Sequence, residues 1–209
     1  MPIKNSILKV VLIAILFYVI NNLIGFYLFI PNCFENKLFG KWVESLAYLI
    51  LNFSFLTYLY FKFSKTINVN KSISSISAYS FIIGVFLTLI QTLIIFLKNG
   101  YLPKKNLQFD YFNIPYIFSR VILIPIIEEI IFRSIFFKIL NEKNKIVITI
   151  VITSILFSLV HFPNIYQCIV TLVLGFISGL VYYKSNNILN SILLHIGLNS
   201  SVWLMRYLF

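Results

Sequence analysis

Two glutamates stand side by side inside an apolar stretch, Ile124-Pro-Ile-Ile-Glu-Glu-Ile-Ile-Phe-Arg133, and both histidines of the chain, His161 and His195, lie within or at the edge of apolar runs. A charge at the centre of a membrane helix costs about 2.5–3.5 kcal/mol on insertion scales, so ionisable groups there mark function. On a helix Glu129 and Arg133 are four apart with the acid N-terminal, the favoured order for an ion pair. Glu128 points roughly 100° away around the axis, at about 3.6 residues per turn. One carboxylate is then neutralised in place. The other is left to face a cavity. The competing reading is that the glutamates and the arginine merely hold helices together.

Depth links Glu128 to His161. The polar turn between their helices runs Asn141-Glu-Lys-Asn-Lys145, with Glu128 16 residues before Asn144 and His161 17 after it. In an antiparallel hairpin the two come out nearly level, each about 25 Å along its helix at a rise of 1.5 Å per residue. A level Glu and His can hold one water between them. In the last apolar run, His195-Ile-Gly-Leu-Asn199, His195 and Asn199 are also four apart and share a face. Both can present N–H donors toward a developing oxyanion. An interhelical hydrogen-bonded pair is the structural alternative.

These groups must be positioned by hydrophobic helices. The chain has 209 residues, 60% of them hydrophobic and 11% charged, against roughly 25% charged in a soluble domain. A spanning helix needs about 20 mostly apolar residues, and the candidate spans are 6–30, 42–61, 78–97, 115–139, 146–162, 165–183 and 188–208. This predicts an all-α membrane bundle of about seven transmembrane helices. Residues 1–114 form helices without a recognisable motif, and 115–209 hold the chemistry. β-Barrel strands would alternate in polarity over about ten residues, and these runs are continuously apolar. Lys and Arg between the spans weakly favour an inside N-terminus. Gly175 and Gly179 form a small-xxx-small pair suited to close helix approach, and Pro125 removes a backbone hydrogen bond and can kink its helix.

Several function classes fit poorly. The net charge of +11 comes from Lys residues scattered between apolar runs, as membrane flanks are, so no nucleic-acid partner is expected. Cys33 and Cys168 support neither a disulfide framework nor a thiolate metal site. The run 6–30 is too long for a signal peptide and reads as an uncleaved span. Asp110 is the only aspartate, which rules out an aspartyl dyad. A Ser178/His195 dyad lacks GxSG spacing, and Ser178 reads as a packing residue.

Three constellations together resemble the CAAX prenyl endopeptidase and bacteriocin-processing family, also called the Abi family. Its pattern is EExxxR, FxxxH and HxxxN on successive membrane helices. Here Glu128-Glu-Ile-Ile-Phe-Arg133, Phe157-Ser-Leu-Val-His161 and His195-Ile-Gly-Leu-Asn199 match in order. The resemblance covers roughly residues 115–205 and departs at Ser134, where many relatives have Gly. It implies peptide-bond hydrolysis in the membrane. Glu128 would be the general base, aided by His161, with Glu129 and Arg133 organising the site and His195 and Asn199 stabilising the oxyanion. Phe157 is read as packing. The family was long described as metal-dependent, but no HExxH spacing is present and a glutamate-and-water mechanism needs no metal. No cofactor is therefore expected, with zinc the less favoured option.

The resemblance leaves two functions open: an intramembrane glutamate-type endopeptidase, or a non-catalytic bacteriocin self-immunity protein. A proton or ion pathway is a third class that buried Glu and His alone would suggest. The Ile, Asn, Lys and Phe bias and the short chain suggest a bacterial cytoplasmic membrane protein. The expected substrate is a membrane-associated peptide or protein, such as a pheromone or bacteriocin precursor.

Overall fold

In the computed structural model, which describes residues 12, 15, 37–69, 75–99, 114–141 and 145–208, each long apolar run is a helix. The expected span 6–30 lies outside the described residues apart from Leu12 and Ile15. So do Cys33, Glu35, Asp110 and Glu142. Six helices form among the described residues, with no strand. They are α1 (Lys37–Phe63), α2 (Ser75–Asn99), α3 (114–141), α4 (Ile146–Leu159), α5 (Ile165–Ser185) and α6 (Ile188–Leu208). Among the described residues, four segments are long and apolar enough to cross a bilayer: Gly40–Phe63, Ile76–Leu97, Ile165–Ser185 and Ile188–Met205. The protein is a multi-pass membrane protein.

Helix α2 is inverted relative to a helix of a soluble bundle: its small and polar side chains face inward while its large apolar ones face outward. On α2 the buried residues are Ser77, Ser80, Gly84 and Thr88, whereas Phe86, Leu93 and Leu97 are exposed. Without a hydrophobic drive between helices in lipid, association depends on close packing and interhelical hydrogen bonds. The α2–α6 contact shows both. A Cβ on Gly84 would run into the Leu194 carbonyl oxygen, and one on Gly197 into that of Phe81. Ser77 Oγ donates to Asn190 Oδ1 at 2.7 Å, and Thr88 Oγ1 donates to the Leu198 carbonyl at 3.1 Å. The expected Gly175/Gly179 approach is present between α5 and α4, where a Cβ on Gly175 would lie 3.1 Å from Ser154 Cα.

Helix α3 is the central element, with every residue from Ile127 to Phe137 buried. It alternates α and π character: α at Ile114–Phe118, π at Ser119–Leu123, α at Ile124–Glu129, π at Ile130–Phe136 and α at Phe137–Asn141. Pro125 supplies the local reason for the first π turn. It has no N–H to donate, and the preceding Ile124 N–H reaches back to Ser119 O, five residues away.

The other boundaries follow from capping chemistry. Helix α4 ends at Leu159, three residues short of the expected 162, because Pro163 disfavours helical backbone before it. Asn164 then starts α5 by accepting the Gln167 N–H on its side chain at 3.1 Å. Helix α5 closes on left-handed Asn186, φ 46°, whose N–H bonds Tyr182 O. Asn187 Oδ1 accepts the Leu189 N–H at 3.1 Å at the start of α6.

Candidate active site

The acidic pair occupies the middle of α3, and three neighbouring helices are drawn to it. Glu129 and Arg133 pair at 3.2 Å (Oε2 to Nε), both fully buried. Ser178 of α5 donates to the same Glu129 oxygen at 2.6 Å and accepts from Arg133 Nε at 3.1 Å. Thr153 of α4 accepts from Arg133 Nη1 at 3.1 Å. A buried ion pair is tolerated only when its remaining donors and acceptors are bonded. Here two hydroxyls supply most of that, although Arg133 Nη2 has no partner among the described residues. Glu129 is thus held as an acceptor with little freedom to move.

Glu128 is oriented differently. Its Oε2 lies 3.6 Å from His195 Nε2, and the opposite ring nitrogen, His195 Nδ1, lies 3.3 Å from Glu129 Oε1. The imidazole of α6 therefore stands between the two carboxylates and faces both. Since Glu129 is already committed to Arg133 and Ser178, it fixes the ring through Nδ1 and leaves Nε2 beside Glu128. The 3.6 Å separation exceeds a direct hydrogen bond.

His161 follows the last turn of α4. Its Nδ1 is 3.0 Å from the Phe157 carbonyl. A carbonyl only accepts, so Nδ1 must carry the proton and a neutral ring keeps its lone pair on Nε2. His161 joins the cluster through Phe157, whose ring centre is 5.4 Å from His161, 5.5 Å from His195 and 5.1 Å from Phe132. Arg133 Cζ lies 5.7 Å from the same ring. Phe157 is fully buried and is a packing hub, in keeping with its expected role.

Asn199 lies one turn beyond His195, but its amide is turned toward α3, donating to the Arg120 carbonyl at 3.0 Å. Among the expected site residues, Glu128, Glu129, Arg133 and His195 thus form one polar cluster. His161 meets it across an aromatic ring, and Asn199 ties α6 to the π turn of α3.

Sequence reasoning missed Thr153 and treated Ser178 as packing alone. Hydroxyls in membrane helices commonly bond their own i−4 carbonyl, as Thr153 Oγ1 does to Thr149 O at 2.9 Å. The available signal was position: Ser178 lies between Gly175 and Gly179, where α5 comes close to Arg133. As for zinc, no set of three His, Cys, Asp or Glu side chains among the described residues is placed to share an ion. The acceptor oxygens of Glu129 and the Nδ1 of His195 are already engaged with each other and with Arg133 and Ser178.

Residues 110–201 match the family described as type II CAAX prenyl endopeptidase Rce1-like. This segment, somewhat under half of the chain, is similar to the Rce1-like family. It contains every residue of the polar cluster, together with His161 and Asn199. The chain is 36% identical over 78 residues to "UPF0177 protein YxdF" of Lactococcus lactis subsp. lactis (strain IL1403). That match covers 37% of this chain and 42% of the relative. It is 33% identical over 82 residues to YdiL of Bacillus subtilis (strain 168), named as a candidate membrane peptidase. There the coverage is 39% of this chain and 33% of the relative. The chain thus matches less than half the length of either curated relative. No solved structure matches it significantly. The Rce1-like segment supports a membrane protease at the level of the family.

Proposed function

We propose that the protein is an intramembrane endopeptidase in which Glu128 activates water against a peptide bond of a membrane-associated substrate. The observation that carries this reading is the unequal treatment of two adjacent carboxylates. Glu129 is locked by Arg133, Ser178 and His195, whereas Glu128 faces His195 Nε2 across 3.6 Å.

In the proposed reaction Glu128 takes a proton from water as the oxygen attacks the scissile carbonyl carbon. His161, with its lone pair on Nε2, assists in orienting that water. Negative charge builds on the carbonyl oxygen, toward which the second amide hydrogen of Asn199 would donate, joined by His195 Nε2 only when the ring carries a second proton, since Glu129 holds the proton on Nδ1. The C–N bond then breaks, and the proton held by Glu128 passes to the leaving amine. Water is divided between the new carboxyl and amino ends. Glu129 and Arg133 act indirectly, by fixing His195 and the α3 backbone.

The test compares membrane-bound and secreted peptides by mass spectrometry from cells carrying the wild type or Glu128→Gln. Fragments that depend on the wild type and vanish with the glutamine variant are the expected result. Identical peptide profiles would overturn the proposal. So would bacteriocin protection that survives the substitution undiminished, the outcome a non-catalytic immunity protein requires.

A further inference from the structure

Six buried side-chain atoms among the described residues have no hydrogen-bond partner, and three of them lie where α3, α4 and α5 meet: Arg133 Nη2, Ser134 Oγ and Thr149 Oγ1. All three residues are fully buried. Gly179 of α5 marks the crossing. A Cβ there would lie 3.6 Å from Arg133 Nη1 and 3.2 Å from Ile150 Cγ2, so its neighbours are the residues adjoining Ser134 and Thr149. Arg133 Nη1 donates to Thr153 Oγ1 at 3.1 Å, and that hydroxyl donates in turn to the Thr149 carbonyl at 2.9 Å. The guanidinium is thus seated against the Thr149–Thr153 turn of α4. On the α5 side the Tyr182 hydroxyl lies beside Ser134 without meeting it in hydrogen-bonding geometry.

Neither orphan hydroxyl uses the outlet common in these helices. Ser80, Ser154, Thr171 and Ser185 each donate to the carbonyl four residues back, at 2.7 Å. Thr149 Oγ1 does not, although its own N–H is bonded to the Lys145 carbonyl at 3.1 Å. Ser134 lies in the π stretch Ile130–Phe136. A buried polar atom without a partner is costly. Three that converge on one helix crossing define a polar site. Phe132, Phe137 and Ile150 around it are buried as well, so the site lies away from bulk solvent.

The donor set selects the ligand. Nη2 can only donate, whereas each hydroxyl can donate or accept. The charge of Arg133 is already met by Glu129 at 3.2 Å. An anion would place a second negative charge beside a balanced pair, and a cation would face the guanidinium. The site therefore calls for a small neutral molecule that accepts from Nη2 and serves two hydroxyls. Water meets this, since an internal water makes about two to four hydrogen bonds to buried polar groups.

We propose that Arg133 Nη2, Ser134 Oγ and Thr149 Oγ1 form a binding site for one resident water that completes the donor set of the guanidinium. This water is distinct from any that Glu128 activates, and the inference does not depend on the peptidase reading. Ser134 and Thr149 act through it as positioning residues. They hold Nη2 in place while Nε stays on Glu129 and Ser178.

The test compares the purified full chain with Ser134→Ala, Thr149→Val and the double variant in mild detergent. Each single variant should melt a few degrees below the wild type. The double variant should melt close to the singles, because the shared water is lost only once. Hydroxyls without a ligand would behave in the opposite way, since deleting them removes a desolvation penalty. A single variant melting at or above the wild type would overturn the site, as would strictly additive losses. Radiolytic footprinting with a short X-ray pulse reads the water itself, because radicals formed from it oxidise the side chains around it. The rings of Tyr182 and Phe137, 5.2 Å apart beside the site, should be oxidised in the wild type and severalfold less in Thr149→Val. Thr149→Ser keeps the hydroxyl and should keep the labelling. Absence of labelling in the wild type, or labelling unchanged in Thr149→Val, would overturn the proposal.

Discussion

The side-chain amide of Asn199 donates to the main-chain carbonyl of Arg120 at 3.0 Å, bridging α6 to the π turn of α3. That carbonyl lacks a helical donor for a definable reason. The Ile124 N–H has gone to Ser119, and residue 125 is a proline. Asn199 thus supplies the hydrogen bond that Pro125 cannot. Asn199→Ala should lower stability by about 0.5–1.5 kcal/mol, the net worth of an exposed hydrogen bond. Pro125→Ala restores an N–H five residues beyond Arg120, so the Asn199→Ala penalty should shrink in that background. Unfolding of the four variants in mild detergent gives the cycle, and strictly additive effects would contradict the link.

The Glu129–Arg133 pair is fully buried, so removing one partner strands the other's charge. Arg133→Ala should cost about 3–5 kcal/mol. Arg133→Lys should restore part of this, because a point charge cannot serve Glu129, Ser178 and Thr153 at once. Denaturation midpoints at equal detergent concentration check the order wild type, Lys, Ala.

Ser178 reaches Glu129 at 2.6 Å and is buried beneath it. As a positioning residue it should tolerate Ser178→Ala with reduced but measurable turnover, about tenfold slower for a lost bond to a charged group. A serine nucleophile would instead lose all activity and react with fluorophosphonate. No labelling of Ser178 is expected, and its modification would revise the assignment of Glu128.

At the α2–α6 crossing, added methyl groups meet backbone rather than flexible side chains. Gly84→Ala and Gly197→Ala should therefore destabilise the protein, against the gain of about 1 kcal/mol that alanine brings to a helix interior. Gly179→Ala should be milder, because its nearest neighbour is the Ile150 side chain, 3.2 Å away. Parallel thermal melts rank the three, and a stabilised Gly84→Ala would show that the crossing is looser than described.

Much of this arrangement was legible in the sequence because lipid imposes a simple rule. Continuous apolar runs become helices, and the expected spans 42–61, 78–97, 165–183 and 188–208 fall within α1, α2, α5 and α6. The spacing of Glu129 and Arg133 likewise announced their ion pair. Other features depend on tertiary contact. The π turns of α3, the first of them beside Pro125, depart from the ordinary hydrogen-bond register, which periodicity does not encode. His195 was read as an oxyanion donor paired with Asn199. Its position between two glutamates depends on how α6 docks against α3. Thr153 carries no motif, and its importance comes from Arg133, twenty residues away on another helix.

The account stands on Glu128 as the group that activates water, and isotope uptake measures this directly. The purified protein in nanodiscs is given a pool of N-terminally palmitoylated, randomised decapeptides in water enriched in oxygen-18, and each product's new carboxyl end is weighed. The wild type should place one heavy oxygen there, and Glu128→Gln, folded and binding the same peptides, should yield no product. Cleavage by the glutamine variant at the wild-type rate would contradict the account.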